Sequence, residues 1–324
     1  MLNHLLSRAF LRPYSAAADL YFTNAMQDVA GWRRLSTTVF DSDAAVLVIR
    51  NHLGARLDLA GRHLIYLIDD DLAAAIRDPG LAAGYRFRLA VVEGLTARRA
   101  LGKSPILVAT SAPLCADLAR RSGRAVDRLW PYWSDAFSTL DHFGPDAPPR
   151  VGYLGSKTHR GDLPLAMEVL RLIADARPGV EIVLAANHER PDWLASYPHL
   201  RLIEATRWGD YRQAVSRIGC QVLIYPMRDN RLNRARSPNK LIEHGIAGGA
   251  ALYPTHWPEA AEVEHGASGL VLPDDPERWA AEAVALLDDR SRARNMAEGG
   301  QALARRLNDP QPLRAYWREK MGLS

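Results

Sequence analysis

The densest chemistry in this chain lies where an apolar run ends at Tyr225 and a polar loop follows. That loop carries Asn233, Arg236 and Ser237, and a helix is expected to open near Pro238 with Lys240 in its first turn. A helix N-terminus presents free N–H groups and a positive dipole, both suited to phosphate oxygens. Lys240 adds a mobile point charge and Arg236 a bidentate fork. Cations there oppose the helix dipole, and an anion held between them relieves the conflict. A solvated basic loop is the plain alternative. Glu243 follows Lys240 by three residues, on the same helix face. It can pair with Lys240, or accept hydrogen bonds from the hydroxyls of a ribose.

A second polar loop, Gly155 to Asp162, follows an apolar run at Arg150–Leu154. Gly155 and Ser156 leave room for a pyrophosphate or sugar, while Lys157, His159 and Arg160 supply donors. Of the four lysines in the chain (Lys103, Lys157, Lys240 and Lys320), two fall in these loops. His52 is a candidate acceptor-side base, with ordinary surface histidine as the alternative. Asp69-Asp70-Asp71 is a carboxylate run of the kind that binds divalent cations, and equally a strand-end feature. Trp208 and Tyr211 stand near where a nucleotide base would lie, although aromatics at that spacing also serve as core.

The elements that must position these groups form two strand–helix series. In the first, apolar runs at Ala18–Thr23, Ala44–Ile49, His63–Ile68 and Ile106–Thr110 read as buried parallel strands, with Val126–Trp130 as a last one. Ser111-Ala112-Pro113 opens a helix after the fourth. Residues 138–150, with Gly144, Pro145, Pro148 and Pro149, read as a linker. The second series has strands at Arg150–Leu154, Glu181–Ala186, Leu200–Ile203, Gln221–Tyr225, Ala250–Pro254 and Gly269–Leu272. Helices are expected at about Leu163–Arg177, Ser237–Gly248 and Pro276–Leu287. Gly245, Gly248 and Gly249 let backbone or ligand approach closely. This alternation predicts an α/β protein with two Rossmann-like, doubly wound domains and a cleft between them, at residues 1–145 and 150–310. The tail, 311–324, is expected to return to the first.

The bulk properties agree with an ordinary globular chain. It has 324 residues, enough for two domains, with 48% hydrophobic and 24% charged residues. A net charge of +4, without an Arg/Lys run interleaved with aromatics, gives no support to nucleic-acid binding. Cys115 and Cys220 are the only cysteines, so neither a disulfide framework nor a zinc site is indicated, and a cytoplasmic setting fits. No apolar run approaches the roughly 18 residues of a membrane span. Residues 1–18 carry Arg8 and Arg12, no acidic side chain before Asp19, and Leu2, Leu5, Leu6, Ala9 and Phe10 at helical spacing. That pattern suits a packed surface helix, an organelle-targeting peptide, or a helix lying on a membrane surface.

Three stretches resemble bacterial group 1, retaining GT-B glycosyltransferases. Val151-Gly152-Tyr153-Leu154-Gly155-Ser156-Lys157-Thr158-His159-Arg160-Gly161-Asp162-Leu163 is similar to the opening of their catalytic domain. Asn233-Arg234-Ala235-Arg236-Ser237-Pro238-Asn239-Lys240-Leu241-Ile242-Glu243, with Gly245 and Gly249, resembles their nucleotide-sugar motif. Ser268 to Pro276 resembles the segment that follows. The likeness spans about residues 150–305; Ile65–Leu72 and Val108–Leu114 resemble the acceptor domain less specifically. It implies a GT-B fold and a hexosyltransferase that uses a nucleotide-diphosphate sugar as donor and needs no cofactor or bound metal. The acceptor would be a glycan, lipid-linked or other envelope precursor. By the same resemblance Lys240 holds the diphosphate and Glu243 the ribose. Many members carry another glutamate where this chain has Ala235, and Arg and Lys where it has Ser156 and Gly161. Those departures open a second reading, a degenerate GT-B module that binds a nucleotide sugar or a partner subunit without turnover. A nucleotide-sugar epimerase is a third.

Overall fold

The computed structural model describes residues 13–155, 157–185, 190–203 and 207–324. The chain divides into two compact units. Unit 1 comprises residues up to Ser134 together with Ala235–Pro238 and Asn308–Ser324; unit 2 comprises Asp135–Arg234 and Asn239–Leu307.

Unit 1 holds a six-stranded sheet in sequential order: β1 (Arg33–Arg34), β2 (Val39–Asp41), β3 (Ala45–Ile49), β4 (His63–Ile68), β5 (Ile106–Ala109) and β6 (Asp127–Arg128). The last four are parallel, whereas β1 and β2 pair antiparallel, as do β2 and β3. β3 is buried along its whole length, as a continuous apolar strand covered on both faces should be. The run Ala18–Thr23, expected as a strand, is helical instead. Ser15 caps the segment by accepting from the Ala18 amide at 3.3 Å. The buried positions Ala17, Ala18, Tyr21, Phe22, Ala25 and Met26 recur with a helical period. Phe22 meets Trp32, Phe40 and Trp317 at centroid distances of 5.1, 4.6 and 5.5 Å, so tertiary packing overrides its β propensity. Trp317 belongs to the C-terminal helix Pro310–Met321, and its indole donates to the Tyr21 carbonyl at 2.6 Å.

Unit 2 holds a wholly parallel sheet of β7 (Arg150–Leu154), β8 (Glu181–Ala185), β9 (Leu200–Leu202), β10 (Val222–Ile224), β11 (Ala250–Pro254) and β12 (Leu270–Leu272). Their spatial order is β12-β11-β10-β7-β8-β9. The chain runs outward from β7 in one direction and from β10 in the other. That is the Rossmann order, and its switch point lies between β7 and β10, where ligands bind beyond the strands' carboxyl ends. The core packs Val151, Tyr153, Val222, Ile224, Ala250 and Leu252 of the sheet against the helices Leu163–Ala176 and Pro276–Asp288.

The helix Asn239–Ala247 crosses a long helix, Arg290–Leu307, that the sequence pattern did not reveal. Gly245 makes the crossing close: a Cβ there would run into Ala304 and lie 3.0 Å from the Gly300 carbonyl oxygen. The space at Gly245 is therefore taken by protein, not by a ligand. Gly248 ends the helix at φ +74°, the left-handed conformation that glycine adopts without strain.

Candidate functional site

The two loops expected to bind phosphate leave the sheet of unit 2 on either side of its switch point. The first begins at Gly155, directly after β7. A Cβ on Gly155 would lie 2.5 Å from the Tyr153 ring, so only glycine fits against that aromatic. The loop continues through a short 3₁₀ turn, Lys157–His159. Ser156 and the side chain of Lys157 lie outside the described residues. The second loop follows β10 and reaches the helix Asn239–Ala247 by way of a helical turn at Arg231–Arg234.

Asp162 joins these loops. It is buried, and its Oδ1 accepts from the Asn233 side-chain amide at 2.7 Å and from the Arg228 backbone amide at 3.1 Å. Its Oδ2 lies 3.5 Å from His159 Nδ1. Asn233 also donates to the Arg228 carbonyl at 2.9 Å. The Arg228 guanidinium occupies the space a side chain at Gly161 would need. Arg160 is exposed. Asp162 and Arg228 escaped the sequence reading because their roles rest on contacts 66 or more residues apart.

Lys240 and Glu243 form a buried pair beside them. Lys240 Nζ lies 2.7 Å from Glu243 Oε2, donates to the Leu154 carbonyl at the end of β7, and stands 5.8 Å from the centre of the Tyr225 ring. The ammonium is thus held at the carboxyl end of the strand that borders the switch point. The other Glu243 oxygen, Oε1, accepts from the Tyr211 hydroxyl. Tyr225, His244, Tyr253 and Trp257 pack an aromatic floor nearby. His244 stacks on Tyr253 at 5.5 Å, and neither ring nitrogen has a hydrogen-bond partner among the described residues. Burial, followed by the charge on Lys240, holds its pKa well below the ordinary imidazole value.

Arg236 and Ser237, expected beside Lys240, are grouped with unit 1. There the Ser111 hydroxyl donates to the Ala235 carbonyl at 2.8 Å, and Arg236 lies 3.9 Å from Asp70. Ser237 and Thr110 approach the buried Tyr21 hydroxyl.

Unit 1 carries its own charged cluster at the carboxyl ends of β3 and β4. Arg50, at φ +65°, contacts Asp69 at 2.6 Å, Asp70 at 2.7 Å and Glu93 at 2.7 Å. Glu93 also pairs with Arg88 at 3.1 Å. Burial outweighs Arg50 and pushes the Asp69 carboxyl up to about 6. Asp71 caps the next helix through the Ala74 amide. Asp69 and Asp70 are thus engaged by arginine, and among the described residues no group of His, Cys, Asp and Glu is arranged to hold a metal ion. His52 lies 3.1 Å from the Thr96 hydroxyl, and burial lowers its pKa.

No family model matches the chain, and no curated protein does. Solved structures do. A sucrose-phosphate synthase from Thermosynechococcus elongatus superposes with a TM-score of 0.53 at 14% identity, over 80% of this chain and 67% of that one. HepE from Anabaena, in complex with UDP-glucose, gives 0.57 at 16% identity, over 82% and 73%. A TarM variant from S. aureus, in complex with fondaparinux, α-GlcNAc-glycerol and UDP, gives 0.54 at 11% identity, over 81% of this chain and 51% of that chain. The chain has the GT-B fold. GT-B proteins are built from two Rossmann-like domains, and the two largely parallel sheets described above correspond to them. The chain spans about half the length of TarM. Among the described residues no helix is long and apolar enough to cross a membrane. Residues 1–12, which carry most of the amphipathic N-terminal pattern, lie outside the described residues.

Proposed function

We propose that the protein is a glycosyltransferase that moves a hexosyl group from a nucleotide-diphosphate sugar to a glycan or other envelope acceptor. The observation that carries this reading is the Lys240–Glu243 pair, buried at the carboxyl end of β7 beside the switch point of unit 2. Lys240 and the N-terminus of its helix supply positive potential where a leaving diphosphate gains charge, a role that needs no bound metal or cofactor. Glu243 accepts from the ribose hydroxyls. Gly155 turns the chain past Tyr153, and His159, Arg160 and Asn233 lie in the two loops that would surround the diphosphate; Ser156 and Lys157 join them on the sequence pattern alone. Arg236 and Ser237 are donor-side candidates on the sequence pattern alone. The fold shared with HepE and TarM, whose structures hold UDP-glucose and UDP, supports a nucleotide-sugar donor. Cytoplasmic placement, with membrane contact through residues 1–18, rests on the sequence pattern alone.

Binding is tested by thermal shifts with UDP, GDP, ADP, TDP and CMP. A ligand at about 100 times its Kd adds roughly 2.7 kcal/mol. A rise for one diphosphate, absent in Lys240→Met, is expected; no rise with any nucleotide sinks the reading. Acceptor-dependent release of the diphosphate from the matching nucleotide sugar then separates a transferase from a module that binds without turnover.

A further inference from the structure

Tyr211 sits on the helix Trp208–Val215, 32 residues before Glu243 in the chain. Its hydroxyl is buried and donates to Glu243 Oε1. The other contacts of this carboxylate converge on Oε2: Lys240 Nζ at 2.7 Å and, more loosely, Asn239 Nδ2 at 3.5 Å. The terminal torsion of glutamate is soft, so cations and amides gathered at one oxygen leave the carboxylate plane free to turn. Tyr211 alone holds the second oxygen among the described residues. Burial, and then the Glu243 charge, keep the phenol well above its ordinary pKa, so it stays a donor.

A carboxylate offers about four lone-pair sites over its two oxygens. Tyr211 takes one on Oε1 and Lys240 one on Oε2, so a second site stays open on Oε1 and the second on Oε2 is held only by the long Asn239 contact. We propose that Tyr211 is a positioning residue that fixes this plane so that Glu243 meets both hydroxyls of a nucleotide ribose. The proposal rests on the donor-site reading above. It assigns to Tyr211 a role different from stacking on the base: the phenol acts through Glu243.

The test compares UDP, GDP and ADP with their 2′,3′-dideoxy counterparts by titration calorimetry on the full chain. Wild-type protein is expected to prefer the ribonucleotide. Tyr211→Phe, which keeps the ring, should weaken ribonucleotide binding about ten- to a hundredfold, the loss expected for one hydrogen bond to a charged group. Dideoxynucleotide binding should hold, so the preference collapses. Tyr211→Gln, a donor without the ring, should keep more of the preference than Tyr211→Phe. Equal weakening of both ligands in Tyr211→Phe means a merely structural tyrosine and overturns the proposal, as does an unchanged preference. If the Phe variant does not fold, a Gln variant without any ribose preference overturns it. Wild-type protein that binds no nucleotide fails at the donor reading itself. Wild-type protein that binds both forms equally fails at the ribose role of Glu243.

Discussion

Asn233 donates its side-chain amide to Asp162 at 2.7 Å, and this bond joins the loop that leaves β7 to the loop that leaves β10. Both residues are buried, so neither partner has water as a substitute. Asp162→Ala removes the acceptor of one Asn233 amide hydrogen and of the Arg228 backbone N–H together. An unsatisfied buried donor costs about 1–3 kcal/mol. A denaturant titration should show a loss in that range for Asp162→Ala, with weakened nucleotide binding at temperatures where the variant is folded. Unchanged nucleotide affinity would mean that the two loops do not form one site.

The Lys240–Glu243 pair predicts strong coupling. Removing one member of a buried ion pair costs about 3–5 kcal/mol, because it leaves the other charge uncompensated. Lys240→Met and Glu243→Gln should each destabilise markedly, and the double variant by much less than their sum. A double-mutant cycle with additive effects would contradict the pairing.

His244 predicts an acid limb in stability. Its folded pKa is depressed, so below the ordinary imidazole value of 6.5 the unfolded chain takes up a proton that the native state refuses. This contribution to stability is complete above pH 6.5 and erodes as pH falls, by up to about 1.4 kcal/mol per pH unit. Melts of wild type and His244→Phe between pH 4.5 and 8 should diverge on the acid side, with the variant less pH-dependent. Parallel curves would remove His244 as the cause.

Arg50 stands against three carboxylates in unit 1, and Arg50→Ala leaves them facing one another. The loss should be about 3–5 kcal/mol at pH 8. Asp69 works in the opposite sense to His244. Its carboxyl is raised from 3.8 to about 6, so the stability it contributes is complete below 3.8 and lost as pH rises through about 6. The penalty of Arg50→Ala should therefore shrink at pH 5, where a proton can stand in for the arginine. An equal penalty at both pH values would show that packing, rather than charge, sets it.

Gly245 predicts a packing defect. Gly245→Ala places a methyl against Ala304 and the Gly300 carbonyl. Overpacking of this kind costs about 1–3 kcal/mol, visible as a lower Tm. A variant as stable as wild type would mean that the helix Arg290–Leu307 yields without cost.

Local periodicity and residue spacing were enough to place much of the core and one charged pair. Short apolar runs marked the core strands β3, β4, β5, β7, β8 and β11, because buried parallel strands need continuous apolar side chains. The three-residue step from Lys240 to Glu243 put an ammonium and a carboxylate on one helix face, since i and i+3 are neighbours there. Tertiary structure decided the remainder. Ala18–Thr23 became helical because Phe22 finds Trp32, Phe40 and Trp317, one of them nearly 300 residues away in the chain. The Arg228 guanidinium lies over Gly161, and Asp162 reaches Asn233, across gaps that no residue spacing encodes. The carboxylate of Glu243 was legible as a hydrogen-bond acceptor, but its plane was not. That plane is set by Tyr211 on another helix, and a contact of that kind exists only once the sheet order has brought the two helices together.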